Sequence, residues 1–275
     1  MSKQTVLITG ASTGIGRATA LYFHEKGWNV IATMRNPENE VELYDLEDVL
    51  VTYLDVTELE SIARAVKVGI EAFDKIDVVV NNAGYGAYGP LETFPRENIV
   101  RQFNTNVIGL LDVTKAILPH FRQNKNGTLI NISSVGGKVT FPYGALYHGT
   151  KFAVEGITES LAFEMELIGC KAKIVEPGTI VTDFAGRSFD FQIDATIPEY
   201  QGMANAMMAA LGDITTDESR AAPPIEVAKV IYQAATDGTD TLRYTAGYDA
   251  QAFLDAKASQ SDEDYIRSVK QMFGL

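Results

Sequence analysis

The sequence predicts an α/β protein whose core is a doubly wound sheet of seven parallel strands with helices on both faces. Two observations carry that expectation. Seven short runs rich in β-branched residues alternate with longer stretches of helical period, and no Pro/Gly/Ser-rich linker, repeat or low-complexity tract interrupts them. Residues 1–275 therefore read as a single domain, which the 46 % hydrophobic content is ample to fill.

The strands are expected at Val6 to Thr9, Asn29 to Thr33, Leu50 to Leu54, Asp77 to Asn81, Thr128 to Ile132, Lys173 to Glu176 and Leu242 to Ala246. Their near-continuous apolar character is that of parallel strands covered on both faces. Between the fifth and sixth lies a helix from Gly144 to Ile168, with Ala153, Ile157, Leu161 and Met165 at four-residue steps and Gly169 just past its end. The stretch from Asp183 to Pro224 breaks the regular spacing and is expected to be a substrate lid over 183–224; the alternative is an irregular structural insertion.

Charge and cysteine content narrow the function. Lys and Arg number 23 against 36 Asp and Glu, and the net charge of −13 repels phosphate backbones and anionic lipid alike, so neither nucleic-acid nor membrane partners are expected. Cys170 is the one cysteine, which rules out an internal disulfide and suits a reducing, cytoplasmic setting. The apolar run Thr5-Val6-Leu7-Ile8 is too short for a signal peptide or membrane span. His24, His120 and His148 are widely separated and form no metal-binding pattern, so no metal is expected.

The first strand runs into Thr9-Gly10-Ala11-Ser12-Thr13-Gly14-Ile15-Gly16, where three glycines let the backbone turn tightly and open a helix whose amides can face a pyrophosphate. The pattern is that of a Rossmann dinucleotide fold; a purely structural strand-to-helix turn is the alternative. The acid that holds the ribose hydroxyls in NAD-binding versions is missing. Arg35 follows the second strand instead, and a guanidinium there suits the 2′-phosphate of NADP, unless it is simply a solvated surface charge. Asp55-Val56 and Asn81-Asn82-Ala83-Gly84 end the third and fourth strands, at the sheet edge where open α/β folds bind ligands.

Tyr147 and Lys151 stand one helical turn apart, so phenol and ammonium share a helix face and the cation favours phenolate. Tyr22 and Lys26 repeat that spacing by accident. Only Tyr147 has the hydroxyls of Ser133 and Ser134 at a preceding strand end.

Together Thr9 to Gly16, Asn81 to Gly84, Asn106, Ser134, Tyr147 and Lys151 resemble the short-chain dehydrogenase/reductase family. The resemblance implies that Tyr147 exchanges a proton with the substrate oxygen, that Lys151 lowers its pKa and bonds the nicotinamide ribose, and that Ser134 orients the carbonyl. It further implies a relay water at Asn106, adenine between Asp55 and Val56, adenosine ribose beside Asn82, Ala83 and Gly84, and nicotinamide contacts from Pro177, Gly178, Ile180 and Thr182. Ser12, Thr13 and Ile15 fall with Gly10, Gly14 and Gly16 in the phosphate turn. His148-Gly149-Thr150 departs from the small residues usual between Tyr and Lys, and His148 is given no role.

The function this implies is an NADPH-dependent reductase of an apolar ketone or aldehyde, reversible as an alcohol dehydrogenase, similar to the 17β-hydroxysteroid dehydrogenase-like branch, and a homo-oligomer. The apolar substrate is read from Phe184, Phe189, Phe191, Ile193, Ile197, Met203, Met207, Met208 and Leu211 in the lid, and from Arg187 being the only basic residue between Asp183 and Asp217. A catalytically silent NADP-binding regulator and an epimerase or dehydratase on the same scaffold are the alternatives.

Overall fold

The computed structural model describes residues 3–182, 188–216 and 221–274. The strands are β1 (Thr5–Ile8), β2 (Asn29–Met34), β3 (Val49–Tyr53), β4 (Val78–Asn81), β5 (Gly86–Tyr88), β6 (Thr128–Ile132), β7 (Lys171–Pro177), β8 (Phe189–Phe191) and β9 (Arg243–Ala246). The helices are α1 (Gly14–Glu25), α2 (Leu59–Phe73), α3 (Arg96–Phe103), α4 (Gly109–Asn124), α5 (Ala145–Leu167), α6 (Gln201–Thr216), α7 (Pro224–Thr236), α8 (Ala250–Ala258) and α9 (Asp262–Met272). A π turn, Asn104–Ile108, joins α3 to α4.

Seven strands form one parallel sheet in the order β3-β2-β1-β4-β6-β7-β9, which is the Rossmann arrangement. The chain winds outward from β1 in one direction and then returns to β4 to wind in the other. The crevice of a doubly wound sheet therefore opens at the carboxyl ends of β1 and β4.

Alternation along the strands divides the core between the two faces. Val6 and Ile8 join a cluster with Ala20 and Phe23 of α1 and Val227 and Ile231 of α7, whereas Leu7 between them joins Ile62 of α2, Val113 and Ile117 of α4 and Met165 of α5. Helices on both faces account for the continuous apolar strands. Among the described residues no helix is long and apolar enough to cross a membrane.

The expected helix at 144–168 is α5, and its chain leaves through Gly169 at φ +72, a left-handed backbone that glycine adopts without strain. Its buried line is offset from the apolar stripe. Thr150, Val154 and Thr158 are buried while Ala153, Ile157 and Leu161 are only half-buried, because the threonines serve polar partners inside the fold. Thr158 Oγ1 accepts from Asn131 Nδ2 at 2.8 Å, Asn131 Oδ1 accepts from Asn81 Nδ2 at 2.9 Å, and that same Nδ2 lies 3.2 Å from Thr114 Oγ1. This polar ladder ties β4, β6, α4 and α5 together directly beneath the crevice.

The irregular stretch contains β8, which pairs in parallel with β5 as a separate two-stranded sheet, and the helix α6. Phe184, Arg187 and the Leu211 side chain lie outside the described residues.

Candidate active site

The glycine turn is built so that only glycine fits. A Cβ on Gly16 would lie 2.3 Å from the Gly10 carbonyl oxygen, and one on Gly10 would lie 3.0 Å from the Ala83 Cα, with φ +67 adding strain. Asn82 staples the turn to the end of β4: its Nδ2 donates to the carbonyls of Thr9 at 2.9 Å and Gly10 at 3.1 Å. Thr9 Oγ1 in return accepts from the amides of Asn82 and Ala83, each at 3.0 Å. The Asn82 side chain is thus spent on the turn itself. The first turn of α1, which contains Ile15, carries no acidic residue, so its amides are open to an anion without a competing carboxylate.

The stretch after β7 reaches back to this turn. A Cβ on Gly14 would meet Thr182 Cγ2 at 3.3 Å, which places Thr182 beside the N-terminus of α1. Pro177 and Gly178 are fixed from below, because the Gly178 amide donates to Ala246 at 2.8 Å. Asp249 Oδ1 accepts the Thr179 amide at 2.9 Å and would be 2.1 Å from a Cβ on Gly178. Ile180 bridges to Ala222, where the chain returns from the lid. Asp249 escaped sequence reasoning, since nothing near it in the chain signals a partner 70 residues away.

At the end of β2, Met34 packs into the core at 3 % exposure and Arg35 is exposed. Arg17 is already neutralised, with Nη1 2.6 Å from Glu40 and Nη2 2.6 Å from Glu42. Arg35 has no ion pair among the described residues, so it is the cation available at this edge. Asp55 uses Oδ1 to accept the Thr57 amide at 2.8 Å and hydroxyl at 2.7 Å, fixing the turn into α2, and Val56 is buried against Gly109.

Tyr147 and Lys151 project from the first turns of α5 beside the end of β6, with Lys151 Nζ 5.7 Å from the Tyr147 ring centroid. The Tyr147 hydroxyl is hydrogen-bonded to Ser134. Ser134 Oγ accepts the Gly136 amide at 3.0 Å and lies 3.4 Å from the Pro177 carbonyl. Ser133 is buried behind it, its Oγ 3.5 Å from the Ser134 carbonyl, so Ser134 is the hydroxyl that faces the phenol.

Burial raises the Tyr147 pKa above its ordinary value and the Ser134 hydrogen bond only partly offsets this. The lowering expected from Lys151 does not outweigh burial in this arrangement. The Lys151 ammonium is itself pushed down to about 8 by burial, against an opposing pull from Glu155, and its Nζ donates to the Ile132 carbonyl at 2.8 Å.

Asn106 lies in the π turn, and its side chain is fully engaged. Oδ1 accepts the Tyr85 amide at 3.1 Å, while Nδ2 donates to the Tyr85 carbonyl at 2.9 Å and to Thr150 Oγ1 at 3.1 Å. Thr150 Oγ1 donates to the Tyr147 carbonyl at 2.7 Å, so Asn106 and Tyr147 are mechanically linked.

A layer of aromatic and Met side chains covers Tyr147. The Tyr88 ring lies 5.4 Å from that of Tyr147 and 5.3 Å from Phe189, which stacks on Phe191 at 5.9 Å. Met207 of α6, Tyr143 and Phe273 complete the cluster. Phe189, Phe191 and Met207 of the 183–224 stretch therefore belong to the cluster that contains Tyr147, whereas Met208 and Ile193 are exposed. Tyr88 was not anticipated; it follows the Asn-Ala-Gly run too closely to be separated from it by pattern.

Comparison with known proteins follows this geometry. The short chain dehydrogenase family model matches residues 4–193. An uncharacterized oxidoreductase of Schizosaccharomyces pombe is 43 % identical over 247 residues, 88 % of this chain and 100 % of its own length. The 3-ketodihydrosphingosine reductase of Bacteroides thetaiotaomicron is 32 % identical over 273 residues, covering 99 % of this chain and 98 % of that one. The solved structure of ElxO with NADP bound superposes with a TM-score of 0.72 at 29 % identity, over 88 % of this chain and 97 % of that one.

Proposed function

The chain belongs to the short chain dehydrogenase family, and from that premise we propose that it is an NADP(H)-dependent oxidoreductase that reduces an apolar ketone or aldehyde to the alcohol, reversibly. The observation that carries this is the Ser134–Tyr147–Lys151 cluster at the open carboxyl edge of the sheet, beside a turn that admits only glycine. The donor set fits a phosphorylated dinucleotide: α1 amides without a nearby acid, Arg35 without an ion pair among the described residues, and the half-buried Lys151 ammonium. ElxO, whose structure holds NADP, supports the same choice.

Held by the glycine turn, Arg35 and Lys151, NADPH would supply the hydride for the carbonyl carbon. Ser134 Oγ holds the carbonyl oxygen by a hydrogen bond, and the Tyr147 phenol, kept protonated by burial, gives that oxygen its proton. Lys151 places a positive charge behind the phenol, which stabilises the phenolate left by proton transfer. Because the Asn106 amide is engaged with Tyr85 and Thr150, a relay water here would have to be held by the main chain of the π turn, a geometry common at functional sites. Phe189, Phe191 and Met207 close over the reacting groups, exclude water and favour an apolar substrate. The relative named for reducing 3-ketodihydrosphingosine supports a ketone as the substrate.

Two further expectations belong to this reading. Phe152, Phe163 and Leu167 on α5, with Phe103 and Ile108 at the π turn, are exposed large hydrophobics that suit a homo-oligomer, which light scattering tests. A buried Cys170 thiol, raised by burial, is compatible with a cytoplasmic setting.

The experiment is NADPH oxidation with a series of methyl ketones of increasing chain length, a steroid ketone and pyruvate. Efficiency rising with apolar bulk supports the reading; net consumption of NADPH excludes an epimerase, a dehydratase and a silent regulator as the main activity. No NADPH oxidation with any ketone contradicts it.

A further inference from the structure

His148 occupies the place between Tyr147 and Lys151 where the family resemblance calls for a small residue, and the reaction above leaves it unused. Its side chain is 3 % exposed, boxed by the rings of Tyr147 at 5.7 Å, Phe141 at 5.9 Å and Tyr88 at 6.0 Å. Both ring nitrogens are committed to the backbone of the segment that follows β6. The Phe141 amide donates to Nε2 at 3.0 Å. An imidazole nitrogen that accepts carries no proton, so in the neutral ring the proton sits on Nδ1, which donates to the Gly136 carbonyl at 2.9 Å. Burial lowers the ring's pKa, with the Gly136 bond acting the other way, and so favours that neutral form.

Gly136 connects His148 to Ser134. Its carbonyl is held by His148, and its amide donates to Ser134 Oγ at 3.0 Å. The fit is close, since a Cβ on Gly136 would lie 2.9 Å from His148 Nδ1 and one on Gly144 would lie 2.3 Å from His148 Cδ2. A Ser or Ala at 148 is too short to reach either backbone group. We propose that His148 is a positioning residue for the reaction described above: through Gly136 it fixes which lone pair of Ser134 Oγ is occupied, and hence how Ser134 meets Tyr147 and the substrate oxygen. Phe141, clipped to the opposite ring nitrogen, keeps the imidazole from rotating out of that role.

The test compares His148→Ala with His148→Asn, whose amide nitrogen is attached at Cγ as Nδ1 is and can donate to the Gly136 carbonyl. The substrate is the methyl ketone of the series that the wild type reduces fastest. His148→Ala should lower kcat roughly 10- to 100-fold, since a misplacement of about 1 Å at a reacting group can cost that much. KM for NADPH should hold, and His148→Asn should restore most of kcat. A lowered melting temperature with unchanged kcat, or equal losses in both variants, overturns the positioning role. Proton–nitrogen NMR of the imidazole in the free wild type provides a second readout that needs no substrate. The Nδ1–H tautomer is expected, and an Nε2–H tautomer or a protonated ring at neutral pH overturns the proposal. If no ketone is reduced, the functional reading fails, while the NMR spectrum still decides for or against the clip.

Discussion

The proposed preference for NADPH rests on Arg35, the cation left without an ion pair, among the described residues, at the end of β2, while Arg17 is held by Glu40 and Glu42. A charge-assisted contact with the 2′-phosphate is worth about 1.5–3 kcal/mol, so Arg35→Ala should reduce NADPH-over-NADH discrimination by roughly one to two powers of ten. Steady-state kcat/KM with both cofactors checks this; a wild type that prefers NADH, or a variant that discriminates as before, refutes it. Lys151 is expected to set the alkaline limit of ketone reduction. Burial lowers its pKa to about 8, opposed by Glu155, whereas the Tyr147 phenol is pushed above its ordinary value and stays protonated. As pH rises through about 8 the ammonium behind the phenol is lost, so ketone reduction should decline over that range. Lys151→Arg, with a guanidinium that keeps its charge, should move the decline to higher pH, and a profile unchanged by that substitution would remove Lys151 from the titration. Tyr147, Lys151 and Ser134 were legible as residues because their spacing and order are local. The backbone partners of Asn82, Asn106 and His148 were not legible, because only the folded chain brings them near.

At the scale of elements, β7 and α5 press two carboxylates together. Glu176 of β7 and Glu155 of α5 are both buried, each with Oε1 lacking a hydrogen-bond partner among the described residues. Burial and the Glu155 charge push Glu176 up to about 7, with Arg243 and Lys138 pulling the other way. The folded protein thus binds more protons than the unfolded chain between the ordinary carboxylate pKa and about 7. This group therefore contributes stability that falls as pH rises across that window. Glu176→Gln should raise the melting temperature above pH about 7 and leave it nearly unchanged in mild acid, where the native carboxyl is already protonated. A variant less stable than wild type at alkaline pH would contradict the repulsion. Sequence pattern placed both elements but not this pairing. The stripe of Ala153, Ile157, Leu161 and Met165 announced a helix, while the residues that α5 buries at Thr150, Glu155 and Thr158 are polar and answer to neighbours on other elements.

For the molecule as a whole, seven alternating strands and one glycine turn were enough to place the crevice, since strand order in a doubly wound sheet follows from right-handed crossovers. The docking of the 183–224 stretch was not legible. It depends on β8 pairing with β5, two three-residue strands far apart in the chain, and on Asp190 accepting from Asn98 at 3.0 Å and pairing with Arg101. That pairing holds Phe189 and Phe191 in the cluster that contains Tyr88 and Tyr147. Asp190→Ala should therefore raise KM for the longest methyl ketone more than for the shortest, as stopped or steady-state assays can read; an equal change for both would separate the lid from substrate choice. The central claim is that this chain moves a hydride from NADPH to a carbonyl carbon, and isotope transfer tests it most directly. Ketone reduced with NADPH deuterated on the transferring face of the nicotinamide should yield alcohol bearing one deuterium on the carbinol carbon for each cofactor oxidised. Tyr147→Phe should bind NADPH and form almost no product. Alcohol without deuterium, turnover without net NADPH consumption, or undiminished turnover in Tyr147→Phe would contradict the account.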